Sequence, residues 1–264
     1  MDILLTNDDG IDSPGLLALR EALASVGDVL VVAPATDQSA MGRAMSREVA
    51  VEERDVGFAV EGTPADCVVA GLEAIGPYPD LVVAGCNRGG NLGAYSIGRS
   101  GTVAAAIEGA SCGVPAMAVS LYIPAEGGIA DDHPTVEAYD EAGRTAAYLA
   151  ERSMRAGVFD DAEYLNVNVP AGERAPVPMR VTTPSASYDV TAAHQPDGSI
   201  TLRDRIWDYM AAGLLDEPPG SDRRAVMDGY TSVSPLMAPH TVEHHPSLDA
   251  VVDGYPGNGP VSED

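Results

Sequence analysis

The chain predicts an α/β fold, doubly wound about a mainly parallel sheet, with a C-terminal β-rich or extended region suited to oligomer contacts. Short β-branched apolar runs alternate with helical stretches, which requires crossover connections and hence parallel strands. Two of those helices open on Ser13-Pro14 and Thr63-Pro64, pairing a capping residue with proline in the first turn. The first apolar run, Ile3-Leu4-Leu5, delivers Thr6-Asn7-Asp8-Asp9-Gly10 to its carboxyl end, the end of an open α/β sheet where ligands bind.

In order, a strand at residues 3–5 precedes a helix capped by Ser13, carrying Leu16, Leu17, Leu19 and Leu23 and ended by Gly27. Val29 to Ala33 is a second buried strand stopped by Pro34, completing βαβ. Residues 46–60 suggest a strand excursion. Thr63-Pro64 begins a helix through about Ile75, and Asp80 to Ala84 is the next strand, ending at Gly85. A glycine-rich loop spans Asn87 to about Gly101, and Thr102 to Ala110 is an alanine-rich helix. Ala116 to Leu121 is a strand, residues 135–154 are helical, and Tyr164 to Val169 is the last strand of the parallel set. Beyond Pro170 proline and glycine become frequent and helical periodicity fades. Residues 1–170 therefore form the α/β core, while 171–264 form an extension of hairpins that returns to the core near 229–236. The last dozen residues are polar and rich in glycine and proline.

Composition narrows the function. The 264 residues include 40 acidic and 15 basic ones, a formal net charge of −25, which repels nucleic-acid backbones; no polymeric nucleic-acid partner is expected. Every basic residue is arginine, so a Walker-type phosphate lysine, Schiff-base chemistry and a lysine general base are all excluded. An acidic, lysine-free chain suits concentrated salt, where charges are screened beyond about 3 Å at 1 M. No apolar run is long enough to span a membrane and no cleavable leader begins the chain, so the expected location is cytoplasmic. Cys67, Cys86 and Cys112 have neither even number nor CxxC spacing and read as small buried thiols.

Several groups converge on the carboxyl end of the sheet: Asp8 and Asp9 after the first strand, Asp37-Gln38-Ser39 after the second, Asn87-Arg88-Gly89-Gly90-Asn91 after a later one. Carboxylates with neutral oxygens suit a hard divalent cation, Mg²⁺ or Mn²⁺, that keeps positions open for water and a substrate phosphate. The same dipeptide at Asp131-Asp132 and Asp160-Asp161 follows no apolar strand; position carries the signal. Ser100-Gly101-Thr102 opens the alanine-rich helix, where N–H groups and hydroxyls would receive an anion. By itself Ser100 could equally be a simple N-cap. His240, His244 and His245 are spaced for a metal but lack an HExxH pattern, and His133 and His194 have no supporting context. Trp207, the one tryptophan, is a packing residue or a base-stacking surface.

Taken together, ILLTNDDGIDSPGLLALREAL (3–23), VVAPATDQSAMG (31–42), EGTPADCV (61–68), DLVVAGCNRGGNLG (80–93), SGTVAAAIEGA (100–110), YLNVNVP (164–170) and GYTSVSPL (229–236) resemble the SurE (survival protein E) nucleotidases in family order. The resemblance implies a Rossmann-like core and a metal-dependent phosphomonoesterase, a 5′-nucleotidase hydrolysing nucleoside 5′- and 3′-monophosphates. It also implies a C-terminal region that builds a homodimer or homotetramer. By that likeness Asp8, Asp9, Ser39 and Asn87 hold one divalent metal per subunit, and Asn91, Ser100, Gly101 and Thr102 line the phosphate pocket. Asp8 and Asp9 are the catalytic pair: one accepts a proton from water, or attacks as nucleophile to give an aspartyl-phosphate. The chain departs from the family at Arg43, where many relatives have histidine, at Ser46, where threonine is usual, and in the 92–99 loop, whose Arg99 is a candidate phosphate contact. A receiver-like signalling module shares the acidic pair but relies on a lysine absent here. A non-enzymatic nucleotide-binding protein on the same fold is the remaining alternative.

Overall fold

The computed structural model describes residues 1–124, 134–172 and 175–238. The expectations at Asp131-Asp132, His133, His240, His244, His245 and the last dozen residues lie outside that set. The α/β core begins with strand β1 (Asp2–Thr6), helix α1 (Pro14–Leu23) and strand β2 (Asp28–Pro34). The excursion is a hairpin of β3 (Val51–Arg54) and β4 (Gly57–Val60), followed by α2 (Pro64–Ala70), which runs into a π-helical turn at Gly71–Ile75. Then come β5 (Leu81–Arg88), α3 (Ala94–Ile97), α4 (Gly101–Ser111), β6 (Ala116–Tyr122), α5 (Asp140–Ala156) and β7 (Tyr164–Pro170). The remainder holds β8 (Met179–Val181), β9 (Val190–His194), β10 (Ile200–Asp204), α6 (Ile206–Ala211), α7 (Asp222–Met227) and β11 (Thr231–Leu236).

Among the described residues nine strands form one sheet in the order β3-β4-β2-β1-β5-β6-β7-β11-β8. From β4 to β7 every neighbour is parallel, whereas β3 and β11 run antiparallel to β4 and β7. From β1 the chain first moves outward to β2 and β4, then returns to the opposite side of β1 with β5. The carboxyl ends of β1 and β5 therefore flank the switch point, where an open sheet leaves a crevice.

Successive residues of β1 feed opposite cores. Ile3 and Leu5 pack with Leu16, Leu19 and Leu23 of α1 and Ala142, Ala146 and Ala150 of α5. Leu4 packs with Cys67 and Val68 of α2 and Val103, Ala105 and Ala106 of α4. This period-2 division covers both faces with helices, which is what doubly wound means, and each buried leucine contributes about 1.5–3 kcal/mol. A third, smaller cluster of Leu92, Tyr122, Ile206, Met210 and Val226 fastens the C-terminal helices to the loop after β5.

Several local expectations need correction. Ser13 precedes α1 but makes no side-chain cap bond; its Oγ instead accepts from Asn7 Nδ2 at 2.7 Å. Helix α1 ends at Leu23, short of Gly27. Strand β5 continues three residues past Gly85, the 87–101 loop contains α3, and residues 136–139 form a 3-10 turn before α5. Among its described residues the C-terminal region contributes α6 and α7 as well as the β9–β10 hairpin. Cys67 and Cys86 are buried as expected, but Cys112 is exposed.

Candidate active site

The first strand ends in a buried turn. Asn7, fully enclosed, donates from Nδ2 to Gly10 O at 2.9 Å as well as to Ser13, closing the loop that presents Asp8 and Asp9. Asp8 lies between two other segments: its carbonyl accepts from Gln38 N at 2.7 Å, and its Oδ1 from Thr102 Oγ1 at 2.5 Å. The first contact draws the 37–39 loop after β2 toward β1; the second ties β1 to the start of α4. That start approaches so closely that a Cβ on Gly101 would lie 2.7 Å from Asp8 Oδ2 and 2.9 Å from Asp8 Cβ. Only glycine permits this contact.

Asp9 Oδ2 accepts from Arg88 N, at the end of β5, at 3.2 Å. In the same turn Asn87 Nδ2 donates to Gly89 O at 2.7 Å, which orients the amide and turns its oxygen away from that bond. Ser39 N donates to Asp37 Oδ1 at 2.7 Å. Ser100 is the N-cap of α4, its Oγ accepting from Val103 N at 3.1 Å; the modest capping role is real, and it coexists with a place on the cavity wall.

Asp8, Ser39, Asn87, Asn91 and Ser100 line a single cavity of about 340 Å³. Asp9 faces an adjoining cavity of about 290 Å³ that shares Arg88 and is also bordered by Asp37. Gly101 and Thr102 line neither cavity but contact Asp8 from behind it. The structure thus gathers all eight expected residues around the switch point. It adds Tyr95, Ser96, Asp204 and Trp207 to the wall. Arg99 lies on the same wall, its guanidinium 3.6 Å above the Tyr95 ring and Nη1 donating to Tyr95 O at 3.0 Å. Trp207 packs against the third core cluster and also lines the cavity. Asp204 carried no signal in the sequence, being one of many acidic residues, and reaches the site only because β10 folds back there. Arg43 is turned away from the cavity into an ion pair with Glu108 at 2.8 Å.

Both carboxyls of the acidic pair are held above the ordinary carboxylate range. Burial raises the Asp8 carboxyl above its ordinary range against the opposing pull of the Thr102 hydroxyl. Burial, reinforced by the Asp8 charge, pushes Asp9 up to about 7. Two enclosed carboxylates that resist ionisation are what a bound divalent cation would relieve. No three His, Cys, Asp or Glu side chains cluster as a metal set among the described residues; the donors fit a hard ion instead through two carboxylates and the neutral oxygens of Ser39 and Asn87.

Residues 3–190 match the family model described as Survival protein SurE. The chain is 56% identical over 265 residues to the 5′-nucleotidase SurE of Haloarcula marismortui, covering 99% of this chain and 98% of the relative. It is 58% identical over 256 residues to the protein of the same name from Halobacterium salinarum, with 96% and 98% covered. Among solved structures, the SurE protein from Aquifex aeolicus superimposes with a TM-score of 0.77 at 31% identity, over 96% of this chain and 98% of that one. With the family model spanning most of the chain and these relatives matching nearly end to end, the chain belongs to the SurE family.

Proposed function

We infer that this chain is a 5′-nucleotidase, a phosphomonoesterase that releases phosphate from nucleoside 5′-monophosphates and also accepts the 3′-monophosphates. The observation that supports it most is the convergence of Asp8, Ser39, Asn87, Asn91 and Ser100 on one cavity beside the start of α4, in a chain whose relatives at 56% and 58% identity carry that enzyme's name. Asp8, Asp9, Ser39 and Asn87 would hold one divalent ion per subunit, Mg²⁺ or Mn²⁺. When bound, such an ion supplies neutralisation of phosphate charge and acidification of water.

The chain's own residues do the rest. Asn91, Ser100 and the backbone N–H groups of Gly101 and Thr102 receive the phosphate oxygens, the helix start favouring negative charge there. Thr102 holds one oxygen of Asp8 and Arg88 N holds one of Asp9, so each carboxylate keeps its other oxygen for the reaction. One accepts the proton of the attacking water as the ester P–O bond breaks and the leaving oxygen is protonated. If instead a carboxylate attacks phosphorus, acid-quenched samples will contain an aspartyl-phosphate. The Trp207 ring on the cavity wall offers a stacking face for the base.

Exposed Val190, Ile200 and Leu202 on the β9–β10 hairpin support a homodimer or homotetramer, and no helix among the described residues is long and apolar enough to cross a membrane. A cytoplasmic enzyme working in concentrated salt fits the −25 net charge. The test is phosphate release from a panel of nucleoside monophosphates in molar salt, with Mg²⁺, with Mn²⁺ and with chelator, beside Asp8→Asn. We expect turnover that needs the metal and falls below a few per cent in the variant. Nucleotide binding without phosphate release under any condition would instead establish the non-enzymatic binding protein.

A further inference from the structure

A row of polar side chains crosses the carboxyl end of the sheet beneath the phosphate-side loop. Asn87, Ser120, Asn168 and Ser232 are register partners across β5, β6, β7 and β11, and Asn166 shares a face of β7 with Asn168 two residues on. Asn166, Asn168 and Ser120 are fully buried. Their hydrogen bonds converge on one residue. Asn91 N donates to Asn168 Oδ1 at 2.7 Å, and Asn91 O accepts from Asn166 Nδ2 at 2.9 Å and Asn168 Nδ2 at 3.2 Å. Asn91 Nδ2 donates to Ser120 Oγ at 2.9 Å. The next two residues are gripped from the C-terminal region: Leu92 O accepts from Arg223 Nη2 at 3.3 Å, and Gly93 N donates to Asp222 Oδ2 at 2.6 Å.

This arrangement is costly as mere packing. Asn166 Oδ1 is buried without a hydrogen-bond partner among the described residues, and an unmatched buried acceptor costs about 1–3 kcal/mol. A strand whose neighbours Leu165, Val167 and Val169 are core residues could carry apolar side chains at 166 and 168 without that cost. What the polar residues accomplish is to fix the backbone of Asn91 on both sides and to occupy one proton of its amide. With one Nδ2 proton on Ser120 Oγ, the amide has a second to offer the cavity that Asn91 lines.

We propose that Ser120, Asn166 and Asn168 are positioning residues that hold the Asn91 amide in its phosphate-receiving orientation. The proposal rests on the reading of Asn91 as a phosphate contact. Because the contact is made to the phosphate before and during the reaction alike, loosening it weakens binding rather than turnover.

The experiment compares Asn91→Ala, Ser120→Ala, Ser120→Thr and Asn168→Asp in molar salt. It measures kcat and KM for a nucleoside 5′-monophosphate, the competitive Ki of inorganic phosphate, and the melting temperature. Asn168→Asp keeps the acceptor for Asn91 N but replaces the donor to Asn91 O with a second oxygen. We expect Asn91→Ala, Ser120→Ala and Asn168→Asp each to raise KM and Ki together, roughly threefold to tenfold, the effect of about one lost hydrogen bond. Turnover stays within about twofold, and Ser120→Thr, which keeps the hydroxyl, stays nearer wild type. If Asn91→Ala raises both constants while Ser120→Ala and Asn168→Asp change only the melting temperature, the positioning role is overturned and the phosphate contact stands. If Asn91→Ala itself leaves both constants unchanged, the phosphate reading of Asn91 fails and takes the proposal with it.

Discussion

At the residue scale the site depends on contacts that leave no space for a methyl group. Gly101 is the one that touches a carboxylate of the site: a Cβ there would press 2.7 Å from Asp8 Oδ2 and against the Asp8 Cβ, neither of which can retreat, since Thr102 holds the other oxygen and the Asp8 carbonyl is bound to Gln38. Gly101→Ala should therefore move Asp8 without unfolding the protein, because alanine is otherwise the best residue inside a helix. A displacement of about 1 Å at a reacting group can reduce rate about 100-fold. We expect kcat/KM to fall by that order while the far-ultraviolet circular dichroism is retained; activity within threefold of wild type would show that Asp8 tolerates the shift. Asp8 and Asp9 were legible in the sequence because an apolar strand ends at them, which other acidic pairs lack. The grip on Asn91 was not legible. Its partners lie 29 to 77 residues away, and an asparagine in YLNVNVP has no local mark distinguishing a buried clamp from a surface polar residue.

At the element scale, local chemistry predicted starts better than ends. Thr63 and Pro64 open α2 as expected, with a reciprocal capping box: Thr63 Oγ1 accepts from Asp66 N and Asp66 Oδ2 from Thr63 N. The sequence predicts that the strand ends at Gly85, yet β5 runs on to Arg88. At Gly85 a Cβ would meet Val119 O at 2.2 Å, so the glycine admits a close strand neighbour, and pairing resumes at Asn87 after a register shift. That resumption carries Asn87 and Arg88 to the site. Helices α3, α6 and α7, of 4, 6 and 6 residues, are too short for a 3.6-residue period to declare itself and are held by the third core cluster and the Asp222 network. The capping box gives a testable pH dependence. Burial raises the Asp66 carboxyl, but N–H donors from Thr63 and Ser46 outweigh it and hold the group below its ordinary value. A depressed carboxyl stabilises the fold above its unfolded pKa near 4 and loses that contribution as pH falls through the folded value. Asp66→Asn should cost about 1 kcal/mol in denaturant unfolding at pH 7, a deficit that shrinks below pH 4. A deficit independent of pH would mean that ionisation of Asp66 is irrelevant to the cap.

At the scale of the whole molecule, the sheet and its two cores must hold against a net charge of −25. The arginines do little to offset this: among the described residues most of their ion pairs lie at the exposed surface, some sharing one acid between two arginines, where each pair contributes about 0–1 kcal/mol. The excess acids repel across the surface, and repulsion reaches as far as the Debye length, about 30 Å at 0.01 M, 10 Å at 0.1 M and 3 Å at 1 M. Stability should therefore rise with KCl, most steeply up to about 1 M, where screening is nearly complete at the distances separating surface charges. Salting-out would give the opposite shape, small effects at first and growth at high concentration. The two mechanisms separate further through the protein itself. Glu21, Glu48, Glu53 and Asp55 are exposed and line neither cavity; replacing them together as Glu→Gln and Asp→Asn removes four negative charges without touching a core. If screening sets the salt requirement, the fourfold variant melts higher than wild type at 0.1 M KCl and converges with it at 3 M. A parallel offset at both concentrations, or a wild-type melting temperature that is flat from 0.1 to 3 M, would mean that the acidic surface does not set the salt requirement of this fold.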